Sequence, residues 1–266
     1  MSPRTDPDAL AAAVATAHAM ADAARGAILP HFRRPMAVET KGADFDPVTV
    51  ADRAGEAAMR AVLTAERPAD GVQGEEAGAT KGTSGLTWVL DPIDGTRGFI
   101  SGTPTWGVLI ALRDADGPML GIVDQPFTGE RFLGTREGAA WTRGRERRAI
   151  RTRHTTALGE ATILTTFPEV GTEAEGAAFH RLARRCRLTR YGMDCYAYAL
   201  LAAGCVDLVV EAGLQAYDIA APVALVQGAG GVVTAWDGGS AHDGGTCVAA
   251  ATPALHAAAL EALEWT

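Results

Sequence analysis

Apolar residues recur along this chain first at helical spacing, then in short strand-like runs, then in alternation. From Pro7 to about Leu29, Val14, Met20 and Ile28 punctuate an alanine-rich run that predicts a long helix, stopped at Pro30. Lys41 to Pro47 reads as a loop. A second helix is predicted from about Thr49 to Arg67, with Val50, Ala54, Ala57, Ala61 and Ala65 as its apolar face and Asp52 in its first turn. Val72 to Glu75 reads as a short strand ending in acids, and Ala77 to Gly85 as a polar, glycine-rich loop. Thr87 to Leu90, Trp106 to Leu112, Met119 to Asp124, Arg131 to Thr135 and Ala139 to Thr142 are short apolar runs between turn residues, the pattern of an antiparallel meander.

Past about Arg151 the texture changes. Strands are predicted at Ala161 to Phe167, Leu188 to Tyr191, Val206 to Glu211, Gly231 to Trp236 and Cys247 to Ala250. Helices fall between and after them, at Glu175 to Arg187, Asp194 to Gly204, Asp218 to Gly228 and Pro253 to Leu263. This alternation predicts an α/β half, residues 146–266, behind an α+β half, residues 1–145, with no repeat or low-complexity linker between them.

Composition narrows the function classes. Hydrophobic residues make up 47% of the chain and charged residues 21%. No apolar run reaches the roughly 18 residues that span a bilayer, and the longest, Tyr196 to Val206, is too short. The alanine-rich start follows Asp6 and Asp8 rather than a basic stretch, so it reads as a helix and not a secretory signal; a cytoplasmic location is expected. A formal net charge of −8 argues against nucleic acid as a partner. The exception is the arginine-rich stretch Arg143 to Arg153, interrupted by Gly144 and Glu146, which reads as a solvated hairpin or domain junction. Cys186, Cys195, Cys205 and Cys247 have no CxxC or zinc spacing and read as reduced thiols in or near the core. The six histidines show no ligand spacing and read as solvated surface residues.

The chemistry concentrates in Trp88-Val-Leu-Asp-Pro-Ile-Asp-Gly-Thr96, where two carboxylates, Asp91 and Asp94, stand at the end of an apolar run. Carboxylates are hard ligands suited to Mg²⁺, Gly95 permits close backbone approach, and Thr96 adds a hydroxyl. Asp52, Glu75 and Asp218 also fall at predicted element ends. Singly, each has a structural reading: Glu75 as a turn acid, Asp218 as a helix cap.

Taken together, Asp52, Gly74-Glu75-Glu76, Asp91-Pro-Ile-Asp-Gly-Thr96 and Tyr217-Asp-Ile-Ala-Ala221 resemble the magnesium-dependent inositol monophosphatase-like superfamily over nearly the whole chain. Asp91 through Gly102 and Arg190-Tyr-Gly-Met-Asp-Cys-Tyr-Ala-Tyr198 look most like its histidinol-phosphate phosphatase branch. The resemblance implies a layered α-β-α-β-α sandwich with the site between the halves, and a homodimer. It implies that Glu75, Asp91 and the Ile93 carbonyl hold one Mg²⁺ and that Asp91, Asp94 and Asp218 hold a second, with Glu75 able to bind a third. Asp52 and the Thr96 hydroxyl would orient a metal-activated water that attacks phosphorus directly, and the amides of Gly95 and Thr96 would bind the phosphate. The sequence departs from the pattern at Tyr217, which stands for the usual tryptophan, and at Pro222, which a first helical turn would tolerate.

Asp194 and Glu211 are expected to read the cationic end of histidinol phosphate, with a helix cap and a structural acid as their alternatives. The expected enzyme is therefore a Mg²⁺-dependent histidinol-phosphatase acting on a small phosphorylated substrate. Inositol 1-phosphate or another small sugar or nucleotide phosphate is the alternative substrate, and a non-catalytic metal or phosphate sensor is the alternative of another class. An aspartyl-phosphate mechanism is disfavoured, because the acids are spaced Asp-x-x-Asp well inside the chain.

Overall fold

The computed structural model describes residues 6–35, 37–40 and 47–265. The loop expected at Lys41 to Pro47 lies outside them as far as residue 46.

Asp6 opens helix α1 (Pro7–Ile28) by accepting from the Asp8 N–H at 3.0 Å. Two short strands, β1 (Val38–Thr40) and β2 (Pro47–Thr49), pair antiparallel ahead of α2 (Val50–Glu66). Next come β3 (Gly71–Gly74), β4 (Gly78–Thr80), β5 (Thr87–Asp94), the short helix α3 (Thr96–Ser101) and β6 (Gly107–Asp114). The meander continues through β7 (Gly117–Gln125), β8 (Glu130–Thr135), β9 (Gly138–Arg143) and β10 (Glu146–Ile150). These strands form one eight-stranded sheet in the order β10-β9-β8-β7-β6-β5-β3-β4, antiparallel except where β3 meets β5.

The rest of the chain supplies β11 (Thr162–Thr165), α4 (Glu173–Ala183), β12 (Leu188–Tyr191), α5 (Asp194–Ala202), β13 (Leu208–Gln215) and α6 (Ala216–Gly228). It ends with β14 (Val232–Thr234), β15 (Gly244–Ala250) and α7 (Pro253–Leu263). Its five strands form a mixed sheet in the order β12-β11-β13-β15-β14. The division expected after residue 145 falls in the β9–β10 turn, and β10 pairs with the first sheet.

The two-residue period of each strand divides its side chains between two cores. Trp88, Leu90, Val108 and Ile110 pack with α1 and α2, whereas Val89, Leu109, Ala111 and Val123 pack with α5 and α6. The second sheet repeats this: Cys247 and Ala249 face α5 and α6, while Val248 and Ala250 face α4 and α7. The result is five layers, α-β-α-β-α, with both sheets covered on both faces. That is why their strands read as continuous apolar runs. The middle helix α6 lies directly on the first sheet, and a Cβ at Gly121 or Gly134 would overlap its backbone at Ala221 or Leu225.

Several elements differ from the sequence pattern. β5 runs four residues beyond Leu90, because its ladder with β6 shifts register between Asp91 and Asp94 and so accommodates Pro92, which has no N–H to offer. Helix α2 buries Ala51, Asp52, Gly55, Glu56, Met59 and Leu63, not the alanine face that the spacing suggested; two acids and a glycine in the buried stripe hid it. Pro222 is the seventh residue of α6, past the first turn, so it brings no N–H to the Asp218 carbonyl; packing between the sheets holds the helix there. His256 is buried on Thr234 at 2.8 Å and His18 meets Arg131 at 3.0 Å, so neither is the solvated residue expected.

Candidate active site

The irregular end of β5 gathers the acids. Asp91 is 2% exposed, and its Oδ1 accepts from the Ile93 N–H at 2.9 Å, closing a tight turn over Pro92. Asp94 Oδ2 accepts from the Cys195 N–H at 2.6 Å, tying β5 to the first turn of α5. Asp218 arrives from α6, where its Oδ2 accepts from the Gln215 N–H at 2.7 Å. Gln215, not Asp218, is therefore the N-cap of α6; Asp218 bonds the cap's N–H from the third helical position and also faces the other acids. Carboxylate oxygens of Asp91, Asp94 and Asp218 all lie within 4.8 Å of one another. Glu75, one residue past β3, hydrogen-bonds the Asp91 carboxyl.

Burial pushes Asp91 well above the usual carboxylate range, and Glu75, Asp94 and Asp218 push it further. Asp94 is raised in the same way, first by burial and then by Asp194 and Asp218. Acids this close and this buried cannot all carry charge without a compensating cation. The donor set is entirely oxygen, which suits a hard divalent ion.

Asp52 lies beside this cluster, 1% exposed, at the third position of α2. Its Oδ2 accepts from the Thr49 N–H at 2.8 Å and from the Thr49 hydroxyl at 2.6 Å. The Thr96 hydroxyl lies 3.5 Å from Asp52 Oδ1 and 3.2 Å from the Ile93 carbonyl oxygen. Burial raises Asp52, and the bonds from Thr49 oppose that shift. Gly95 takes φ 85°, and a Cβ on it would come within 2.8 Å of the Asp194 side chain.

Asp194 is the first residue of α5 and not its cap; it adopts φ 43°. Burial lifts it to about 6, while the Arg97 guanidinium and a hydrogen bond from Thr105 hold it down. Glu211, 6% exposed, accepts from the Thr166 N–H at 2.8 Å, the Thr166 hydroxyl at 2.9 Å and the Thr165 hydroxyl at 3.1 Å. Burial raises it to about 7, and the charge of Asp194 adds to the shift. The two acids expected to read the substrate thus sit close enough to feel each other, with Asp194 against Gly95.

Sequence reasoning passed over the residues that fix these groups. Thr49 stands three positions before Asp52, a capping-box spacing that could have been read. Glu56 is buried and accepts from the Glu76 and Ala77 N–H groups at 2.7 and 3.0 Å, which sets the turn that carries Glu75. Its only signal was an acid on a helix whose other buried residues, Asp52 apart, are small or apolar. Thr165, Thr166 and Arg97 left no signal in the sequence.

Comparison with known proteins covers nearly the whole chain. The profile of the inositol monophosphatase family matches residues 10–265. The chain is 39% identical to the bifunctional phosphatase IMPL2, chloroplastic, of Arabidopsis thaliana, over 94% of this chain and 75% of that protein. It is 38% identical to a histidinol-phosphatase of Streptomyces coelicolor, over 84% and 86% respectively. Among solved structures, an inositol monophosphatase from Zymomonas mobilis superposes with a TM-score of 0.85 at 41% identity, covering 95% of this chain and 98% of that one.

Proposed function

The chain belongs to the inositol monophosphatase family, and from that premise we propose that it is a Mg²⁺-dependent phosphomonoesterase that hydrolyses L-histidinol phosphate to L-histidinol and phosphate, a step of histidine biosynthesis. The observation that carries the phosphatase reading is the Asp91, Asp94 and Asp218 cluster standing beside the Thr96–Asp52 pair. A cation site alone would need no such pair, which is why a sensor is the weaker reading.

Asp91, Asp94 and Asp218 would hold one Mg²⁺, with Glu75, Asp91 and the Ile93 carbonyl at another. When bound, the metal neutralises phosphate charge and polarises the bond to be broken. The chain's own groups do the rest. Thr96 orients the attacking water, and Asp52, fixed by two bonds from Thr49, receives the proton through the threonine hydroxyl. The amides of Gly95 and Thr96 donate to phosphate oxygens where α3 begins. No side chain takes up the phosphoryl group.

Asp194 and Glu211 support a cationic substrate, since a carboxyl against Gly95 and a second, buried carboxyl near enough to feel its charge favour an ammonium and an imidazole. The histidinol-phosphatase relative points the same way. A second reading, inositol 1-phosphate, is favoured by the similarity to the Zymomonas mobilis enzyme and by the hydroxyl-rich surroundings of Glu211. Phosphate release from histidinol phosphate and from myo-inositol 1-phosphate, measured across a Mg²⁺ titration, separates the two. We expect the higher kcat/KM on histidinol phosphate. The reverse order would transfer the proposal to inositol phosphate, and no release from either or from a wider panel of small sugar and nucleotide monoesters would leave the sensor reading in its place.

A further inference from the structure

The arginine-rich hairpin has no part in the chemistry above, yet it borders a cavity remote from the acid cluster. This cavity, about 930 Å³ in volume, opens where the β8–β9 turn, the end of β10, the start of α1 and the last turn of α6 converge. Its apolar floor includes Leu10, Val14, Leu133 and Ile150. Around it stand Arg136, Arg147, Arg148 and Arg151, all exposed, with Glu137 the acid among its lining residues.

Several arginines of the chain are paired: Arg131 with Asp124 and Asp22, Arg60 with Glu56, Arg67 with Asp70. None of the four cavity arginines forms an ion pair with a described carboxylate, although acids outnumber bases 32 to 24. Arg148 is held instead by stacking, its guanidinium 4.5 Å over the Trp141 ring, which leaves the fork of N–H donors at its edge available. The carbonyls ending α6, which would repel an anion, are already engaged: Thr152 N–H donates to Ala229 O and Gly230 N–H to Gln227 O.

Exposed guanidiniums bordering a cavity that apolar side chains also line call for a ligand with clustered negative charge and an apolar face. We propose that this cavity binds a small organic polyanion, of the nucleoside polyphosphate class, at a site separate from the acid cluster. A long nucleic acid fits less well, because the arginines surround a concavity and the net charge of −8 repels an extended polyanion. The location also bears on the proposed active site. The cavity meets the C-terminal end of the 13-residue helix α6, whose first turn carries Asp218 about 15 Å away along the helix axis.

The test is calorimetric titration of the whole protein with ATP in the presence of EDTA, so that binding through a metal at the acid cluster does not contribute. We expect saturable binding that weakens by about tenfold or more in an Arg147→Glu, Arg151→Glu double variant, and is unchanged in Asp94→Asn. Thermal melting and phosphatase turnover of the double variant should match the parent, separating lost binding from lost folding. Absence of ATP binding by the parent, or equal binding by the folded double variant, overturns the proposal. So does tighter binding of a short single-stranded RNA than of ATP, which would make the patch a nucleic-acid surface.

Discussion

Asp52 and Asp218 both sit at the third position of a helix and both accept a backbone N–H there, yet each also faces the reacting centre. A capping acid has its backbone bond on one oxygen, so its carboxylate is oriented before any ligand arrives. Asp52→Asn should lower kcat by roughly 10² to 10⁴, the usual worth of a general base, while calorimetry finds Mg²⁺ affinity unchanged. Glu211 gives a pH signature. Its folded-state value of about 7 stands above the ordinary 4.5, so the folded state holds the extra proton between these values. Its contribution to stability is full below the lower value and is lost as pH rises through the upper one. Glu211→Gln, which cannot ionise, should therefore raise Tm more at about pH 8 than at about pH 5; an equal shift at both would mean that Glu211 is not destabilised by burial.

Among the elements, α6 governs most. It lies between the two sheets, carries Asp218, and touches the first sheet so closely that only glycine fits at positions 121 and 134. Gly134→Val should destabilise the protein by about 1–3 kcal/mol or more through overpacking against Leu225, visible as a lower Tm and denaturation midpoint. If the helix shifts to accommodate the side chain, kcat should fall as well, since Asp218 moves with it. The glycines in Gly121 and Gly134 were plain in the sequence, but the pattern gave no reason for them until α6 was in place. The α2 stripe failed for a related reason: Asp52 and Glu56 are buried because Thr49, Arg60 and backbone N–H groups satisfy them, and none of those partners is set by periodicity.

For the whole molecule, the cost of gathering acids between two halves should be relieved by a cation. Mg²⁺ at about 100 times its Kd should stabilise the folded chain by about 2.7 kcal/mol, read as a rise in Tm that EDTA reverses and that Asp94→Asn reduces. No rise in the parent would remove the metal from the proposal. The sequence by itself determined the longer helices and strands, though not the short β1, β2, β4 and α3, together with the meander followed by alternation and the acids that meet in the site, because periodicity and chemically distinctive residues are local properties of a chain. Only the tertiary structure decided that β5 continues through Pro92, that α6 is the shared middle layer, and that Glu56, Thr165 and Thr166 hold the acids and their turns in place. Those features depend on which groups meet across long separations in the chain, and neither spacing nor composition encodes such meetings residue by residue. The arginine cluster belongs to both: its charge is written in residues 136–151, but its cavity exists only where α1 and α6 close around the hairpin.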